Sequence, residues 1–358
     1  MEQRTFNQLL AAAVKNGSSD IHLKAGGPPA LRINGSLLPV KVPALMPEDT
    51  QTNAQFILAA ARYKGDLNDL RDWDTSYAVD DVGRFRCNIF RQKGNFALVL
   101  RAIPFNVPTV ESLGLPPVVK AMSEQERGLI LVTGVTGSGK SSTLAALVRQ
   151  INETTRAHIL TIEDPIEFLH EDKLSRITQR EIGPDTQSFS QALRAALRQD
   201  PDVILVGEMR DTETIDIALK AAETGHLVLS TVHTTDAAKT IGRICDAFPA
   251  DAQEALRHRL AENLKGTISQ RLLPKAAGKG RVVAAEIMVS TESIKEFIIN
   301  PERTHEMADY RAKTRDVYGT QSFDQHLSEL YKSGAITLEV AKSAAYNPSD
   351  FERALSFE

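Results

Sequence analysis

The segment Gly134-Val135-Thr136-Gly137-Ser138-Gly139-Lys140-Ser141 constrains this chain more than any other, because it matches G-x-x-x-x-G-K-[ST]. An apolar run, Gly128-Leu-Ile-Leu-Val-Thr133, precedes it and a helical pattern opening at Ser141-Ser142 follows. That strand–loop–helix context is what a phosphate-binding loop needs. Its glycines let backbone N–H groups turn inward at a helix N-terminus. Lys140 is expected to bridge β- and γ-phosphates, and the Ser141 hydroxyl to ligate Mg²⁺. A chain with this motif is expected to bind a nucleoside triphosphate with Mg²⁺ and to fold as an α/β protein.

The pattern after the loop agrees. Strands are expected over Leu129–Thr133, His158–Ile162, Val203–Val206 and Leu227–Val232. Helices are expected over Ser141–Asn152, Phe189–Gln199 and Glu213–Glu223. This alternation predicts a mostly parallel sheet covered by helices. From Asp251 onward the pattern is helical, broken by apolar strands at Ile268–Leu272 and Val282–Val289, and Phe323 to Leu355 is helical again. The stretch before Pro104 reads differently. Phe6, Leu9, Leu10, Ala13 and Val14 mark a helix stopped by Asn16-Gly17. Strands are expected over Asp20–Lys24, Ala30–Ile33 and Leu37–Val40, with Asn34-Gly35 as a hairpin turn. A helix over Glu48–Tyr63 and strands over Trp73–Val79, Arg84–Arg91 and Phe96–Ala102 complete a small antiparallel α+β domain. Pro104, Pro108, Pro116 and Pro117 mark residues 104–118 as a linker between a domain of residues 1–103 and one of residues 119–358.

Hydrolysis requires acidic groups at the carboxyl ends of neighbouring strands, where open α/β sheets bind ligands. Two segments supply them: Thr161-Ile-Glu163-Asp-Pro-Ile-Glu167 and Val206-Gly-Glu208-Met-Arg210-Asp211. Either acid can hold the metal shell or orient water, and either can serve as a simple cap. A third strand is framed by His226 and His233. Seven residues at ~3.3 Å separate the rings by about 23 Å, so only His233, at the carboxyl end, can face the γ-phosphate. His226 reads as structural.

These motifs together resemble the bacterial secretion ATPase superfamily, and within it the type IV pilus retraction ATPases of the PilT/PilU group. The likeness rests on the phosphate loop, Thr161–Glu167, Asp200-Pro-Asp-Val-Ile-Leu-Val-Gly-Glu-Met-Arg-Asp211, Ala222-Glu-Thr-Gly-His226 and Thr231-Val-His-Thr234. Ser19-Asp20-Ile-His-Leu and Gly83-Arg-Phe-Arg86 extend it to the N-terminal part. The resemblance makes the bound nucleotide ATP and implies a RecA-like ATPase domain preceded by a PAS-like domain, assembled as a hexameric ring that powers pilus retraction and twitching motility. It favours Glu167 as the water-activating base, whereas strand position alone points to Glu163. It assigns Glu208 to the Mg²⁺ shell. Such rings complete their sites with arginines, and Arg84, Arg86, Arg91, Arg101, Arg194, Arg198 and Arg210 are candidates in cis or trans, each equally readable as a structural ion pair.

The expected partners are further copies of the chain, an inner-membrane pilus platform protein and a paralogous retraction ATPase. The chain is expected to be cytosolic, since no apolar run approaches a membrane span and no secretory signal opens it, and the resemblance implies the cytoplasmic face of the inner membrane. Pilus-extension and type II secretion relatives carry a four-cysteine zinc insertion. Two cysteines, Cys87 and Cys245, cannot build one, so no zinc is expected. A net charge of −4 and the absence of an aromatic-interleaved basic stripe argue against a RecA-like nucleic-acid motor. One segment departs from the resemblance. Where retraction ATPases carry Ala-Ile-Arg-Asn-Leu-Ile-Arg-Glu, this chain has Ser293-Ile-Lys-Glu-Phe-Ile-Ile-Asn-Pro-Glu-Arg-Thr304, which motivates an accessory, regulatory role as the alternative.

Overall fold

The computed structural model describes residues 2–33, 35–103, 106–278 and 280–357. The chain divides into two compact units. One is Met1–Asn106 with Glu167–Leu169 and Gly183–Asp185; the other is Val107–Ile166, His170–Ile182 and Thr186–Glu358. Among the described residues no helix is long and apolar enough to cross a membrane.

The first unit contains α1 (Gln3–Lys15), β1 (Ser18–Lys24), β2 (Ala30–Ile33), β3 (Ser36–Pro39), α2 (Pro47–Ala60), β4 (Asp72–Val79), β5 (Gly83–Gln92) and β6 (Asn95–Ala102). Its six strands form one antiparallel sheet ordered β3-β2-β1-β6-β5-β4. Asn34 of the expected hairpin turn and Pro104 of the expected linker lie outside the described residues; Ile33 and Ser36 pair across that turn. Phe6 and Leu10 of α1, and Ala54, Ile57 and Leu58 of α2, bury themselves with Ile21, Phe85, Ile89, Leu98 and Leu100. Each such fully buried aliphatic side chain contributes about 1.5–3 kcal/mol before its entropy is counted. α2 stops at Ala60, short of the expected Tyr63. Arg62 adopts φ 54°, and the Tyr63 N–H turns back to the Leu58 carbonyl at 2.9 Å, a left-handed C-terminal cap.

The second unit contains α3 (Pro117–Met122), β7 (Gly128–Thr133), α4 (Lys140–Thr154), β8 (His158–Glu163), β9 (Arg176–Glu181), α5 (Phe189–Ala196), β10 (Val203–Val206), α6 (Thr212–Glu223), β11 (Leu227–Val232), α7 (Ala237–Asp246), α8 (Ala250–Asn263), β12 (Leu264–Pro274) and β13 (Arg281–Val289). It continues with α9 (Glu292–Ile299), a 3-10 turn (Pro301–Glu306), α10 (Met307–Lys313), α11 (Arg315–Tyr318), α12 (Phe323–Lys332), α13 (Leu338–Ala344) and α14 (Pro348–Phe357). The sheet order is β13-β12-β7-β11-β10-β8-β9, parallel throughout except for the β12/β13 hairpin.

Alternation along the central strands sends side chains to two cores. Ile130, Val132, Leu205 and Leu229 pack with Leu144, Leu147, Val148 and Ile151 of α4. Leu129, Leu131, Ile204, Val206 and Val228 pack with α5, α6, α7 and α8 on the other face. The C-terminal helices close a smaller core around Phe323, Leu327, Leu330 and Phe351. Cys87 and Cys245 are both buried.

Three further details differ from the sequence expectation. The pattern does not predict β9, because Arg176-Ile-Thr-Gln-Arg-Glu181 carries a single aliphatic residue and lies at the sheet edge. Nor does it predict α7, although Asp236 caps that helix through Lys239 N–H and Ala237, Thr240, Ile241, Ile244 and Cys245 are buried at helical spacing. α5 ends at Ala196 instead of Gln199, because Asp200, at φ 53°, precedes Pro201, which disfavours helix in the residue before it.

Candidate functional site

The phosphate loop joins β7 to α4. All of β7 is buried, so the loop leaves a rigid strand. Gly134 has φ 146°, and a Cβ there would meet Ser138 Oγ at 2.4 Å and the Gln270 carbonyl at 2.6 Å. Only glycine permits this close approach. Gly139, at φ 91°, is the residue before α4, so the helix opens without a side-chain cap and presents its first N–H groups toward the loop. The Lys140 ammonium lies against the loop itself, donating to the carbonyls of Gly134 at 2.9 Å and Val135 at 3.1 Å. Ser138 Oγ is buried with no hydrogen-bond partner among the described residues. Val135, Thr136 and Gly137 are exposed at the tip, while Ser141 and Ser142 are half-buried on the first turn of α4. Behind the loop, Thr133 donates to Ser269 at 2.9 Å and Gln270 donates to Thr143 at 2.8 Å, tying β7 and α4 to β12.

β7, β11, β10 and β8 are successive neighbours in parallel register, with Thr133 beside Val232, Ser230 beside Val206, and Val206 beside Ile162. The residues that follow them therefore emerge at one edge of the sheet: the phosphate loop, His233, Glu208 and Glu163. Three of the predicted residues meet there directly. Glu208 Oε2 lies 3.2 Å from His233 Nε2, and Glu208 Oε1 pairs with Arg210 Nε. The Glu208 side chain is only 12% exposed, whereas its two partners are largely open. Thr231 Oγ1 donates to the Gly207 carbonyl at 2.7 Å and Met209 N–H to the Thr231 carbonyl at 3.2 Å, which fixes the turn carrying Glu208.

Glu163 closes β8, and its Oε1 accepts from Thr161 Oγ1 at 2.7 Å and Gln179 Nε2 at 3.2 Å. Glu167 is exposed in the segment after it. Gln179 and Glu181 of β9 are the residues that sequence reasoning missed. Glu181 Oε2 accepts the Ile166 N–H at 3.2 Å, and Gln179 Oε1 accepts the His170 N–H at 2.9 Å. The signal lay in the polar run Thr178-Gln179-Arg180-Glu181 beside an acidic segment, but no apolar alternation marked it as a strand. Burial depresses the His170 imidazole to about 4.

The remaining candidates lie elsewhere. His226 Nδ1 lies 2.8 Å from the Ala221 carbonyl, just before β11, in keeping with a structural role. Arg194 pairs with Glu213 at the start of α6, and Arg198 donates to the Arg194 carbonyl. In the first unit, Arg86 and Arg101 are register partners across β5 and β6 on the open face of that sheet. Arg101 donates to Asp20 at 2.9 Å and Arg84 to Ser76 at 2.7 Å, while Arg91 lies over the Phe96 ring and donates to the Leu67 carbonyl at 2.9 Å. The departing segment Ser293–Thr304 forms α9 and the following turn. Ile294, Phe297 and Ile298 are buried, Lys295 pairs with Glu292, and Arg303 stacks over Phe297 while pairing with Glu296 and Glu306.

Chemically, the loop offers an uncapped helix N-terminus, a lysine ammonium and an unsatisfied buried hydroxyl to a polyphosphate. Ser141 and Glu208 offer a hydroxyl and a carboxylate, the hard oxygen donors that suit Mg²⁺.

The comparisons with known proteins agree with this chemistry. The sequence profile of the family described as "Type II/IV secretion system protein" matches residues 84–354. The chain is 47% identical over 348 residues to the type IV pilus retraction ATPase PilT of Pseudomonas aeruginosa, covering 97% of this chain and 99% of that one. It is 39% identical to the type IV pilus ATPase PilU of the same organism, covering 96% and 90%. The crystal structure of the pilus retraction motor PilT with bound ADP superposes with a TM-score of 0.88 at 48% identity, covering 97% of this chain and 98% of that one. The chain belongs to the type II/IV secretion system protein family of ATPases, and within it to the PilT group of type IV pilus retraction ATPases.

Proposed function

We propose that this chain is a hexameric motor that hydrolyses ATP with Mg²⁺ and uses the energy to retract type IV pili. The observation that carries the hydrolytic part is the edge of one parallel sheet from which the phosphate loop, His233, Glu208 and Glu163 all emerge. The retraction role is supported by the likeness to PilT over nearly the whole length of both chains.

In this reading Lys140 leaves the carbonyls of Gly134 and Val135 and moves to the phosphates, where a full charge is a better partner than a peptide oxygen. Ser138 Oγ gains the partner it lacks. Ser141 and Glu208 would hold Mg²⁺, which would supply positive charge to offset that of the phosphates. His233 and Arg210, both paired with Glu208 at this edge, are the side chains that would be available to the γ-phosphate. Glu167 and Glu163 are the acids available to orient the attacking water, Glu167 being favoured by the family likeness. Arg84, Arg86 and Arg101 are proposed to act in trans on a neighbouring copy. The protein acts at the cytoplasmic face of the inner membrane on a platform protein, alone or beside a PilU-like paralogue. The domain division is proposed as a PAS-like unit, a proline-rich linker and the ATPase unit.

The test is turnover by Lys140→Ala and Glu208→Ala, both expected to fall to background; a fully active Glu208→Ala protein would overturn the mechanism. A strain lacking the gene is expected to lose surface twitching, with recovery from the wild-type gene and none from Glu208→Ala. The altered segment Ser293–Thr304 favours one second reading, an accessory retraction ATPase. Retained pilus retraction in the deletion strain would select it.

A further inference from the structure

Parallel register places Gln179 beside Thr161 and Glu181 beside Glu163, so these four side chains share one face of the β8/β9 pair. Three hydrogen bonds follow from that face. Gln179 uses both ends of its amide, donating to Glu163 Oε1 at 3.2 Å and accepting the His170 N–H at 2.9 Å. Glu181, itself 2% exposed, accepts the Ile166 N–H at 3.2 Å. Ile166 and His170 flank the segment that carries Glu167, and Glu163 stands at its root. The backbone between them is in neither helix nor strand.

We infer that Gln179 and Glu181 are positioning residues that hold the acidic segment by both ends and aim Glu163, so that edge strand β9 sets the geometry of water activation. The inference rests on the proposed role of Glu163 and Glu167. The physical reason is that a carboxylate on an irregular loop keeps a reactive geometry only if its backbone is tied to a rigid element. β9 is such an element, paired along its length with β8. Its polar character, which hid it from pattern reading, is then explained: these side chains are kept for the segment they hold. The three bonds run to the acidic segment and not to the phosphate loop, so nucleotide affinity is independent of them.

The experiment compares the full-length protein with Gln179→Met, Glu181→Leu and Glu181→Gln. Steady-state ATPase kinetics, equilibrium binding of a non-hydrolysable ATP analogue and melting temperature are measured on each, with Glu163→Gln and Glu167→Gln alongside. Gln179→Met, close in shape but unable to make either bond, is expected to lower kcat roughly 10- to 100-fold, the scale of a misplacement near 1 Å, with KM and analogue affinity unchanged. Glu181→Gln keeps an acceptor for the Ile166 N–H and is expected to retain far more turnover than Glu181→Leu. Wild-type kcat in Gln179→Met, while Glu163→Gln or Glu167→Gln is inactive, overturns the positioning role and leaves the proposed mechanism standing. Full activity in both glutamate variants overturns the mechanism itself. A fall in kcat matched by weakened analogue binding or a collapsed melting transition identifies a general folding defect and also overturns the positioning role.

Discussion

Replacing Arg311 by methionine tests the tertiary structure behind the site. Arg311 on α10 donates to Glu286 on β13 at 2.9 Å, and both side chains are nearly inaccessible, 4% and 6% exposed. Glu286 also accepts the Ala237 N–H at 3.0 Å, which anchors the first residue of α7. The turn leading into that helix from β11 reads His233-Thr234-Thr235-Asp236, with Thr234 Oγ1 2.7 Å from Thr240 Oγ1 and Asp236 capping Lys239 N–H at 2.9 Å. The buried pair therefore supports the turn that carries His233. Burial pushes the Glu286 carboxyl above its ordinary range, against the opposing pull of Arg311 and the Ala237 N–H. Removing Arg311 leaves a buried carboxylate without its counter-charge, a change that destabilises by about 3–5 kcal/mol. At about 2–4 °C per kcal/mol for a unit of this size, the melting temperature is expected to fall by about 6–20 °C.

The pH dependence has a definite sign. In the variant the folded carboxyl favours its neutral form still more, while the unfolded one ionises near its ordinary value. The wild-type folded carboxyl is itself raised, so between its folded value and the higher one of the variant only the wild type has released its proton; the deficit therefore grows with pH and shrinks toward acid. The assay is thermal and urea unfolding of wild type and Arg311→Met at pH 5 and pH 8. Adding Glu286→Gln, which is neutral and keeps an acceptor for Ala237, is expected to recover much of the loss. A loss under about 1 kcal/mol at pH 8, or a deficit larger at pH 5, would rule out a buried ionic contact between these two residues.

Three further outcomes are expected. Gly134→Ala should abolish ATP-analogue binding, because the new Cβ meets the fixed Gln270 carbonyl at 2.6 Å; Gly137→Ala, with open space around it but φ 79°, should weaken binding much less, and equal affinities would contradict the cradle geometry. His170 should show no imidazole titration by NMR between pH 5 and 8. Because its folded value lies below the ordinary 6.5, its contribution to stability is present above 6.5 and is lost as the pH falls toward about 4, so His170→Phe should flatten that acid loss. Asp211→Ala removes the cap on Thr214 N–H, 2.8 Å away, and should lower stability by about 1 kcal/mol in urea unfolding, well below the Arg311→Met effect.

The legible parts of this protein are those whose physics is local. The phosphate loop can be read because each glycine answers a backbone demand, as Gly134 at φ 146° and Gly139 at φ 91° show. The central strands can be read because β7, β10 and β11 are buried on both faces and so are continuous apolar runs. Glu208 and His233 are legible as strand-end residues, but their 3.2 Å approach depends on β10 and β11 being neighbours.

β9 shows the limit from the other side. Its sequence has no strand period because Ile177 alone packs against the core, while Gln179 and Glu181 bond the acidic segment. The pairing of Arg311 with Glu286, and of Glu286 with Ala237 at a separation of 49 residues, is likewise invisible in the chain. Motif glycines and apolar periodicity act through nearest neighbours, so the nucleotide chemistry and the alternation of elements are written directly in the residue order. Which acid meets which histidine, which arginines are already engaged and what holds the acidic segment are set by strand order and register. Those bring together residues far apart along the chain, and no local pattern encodes them.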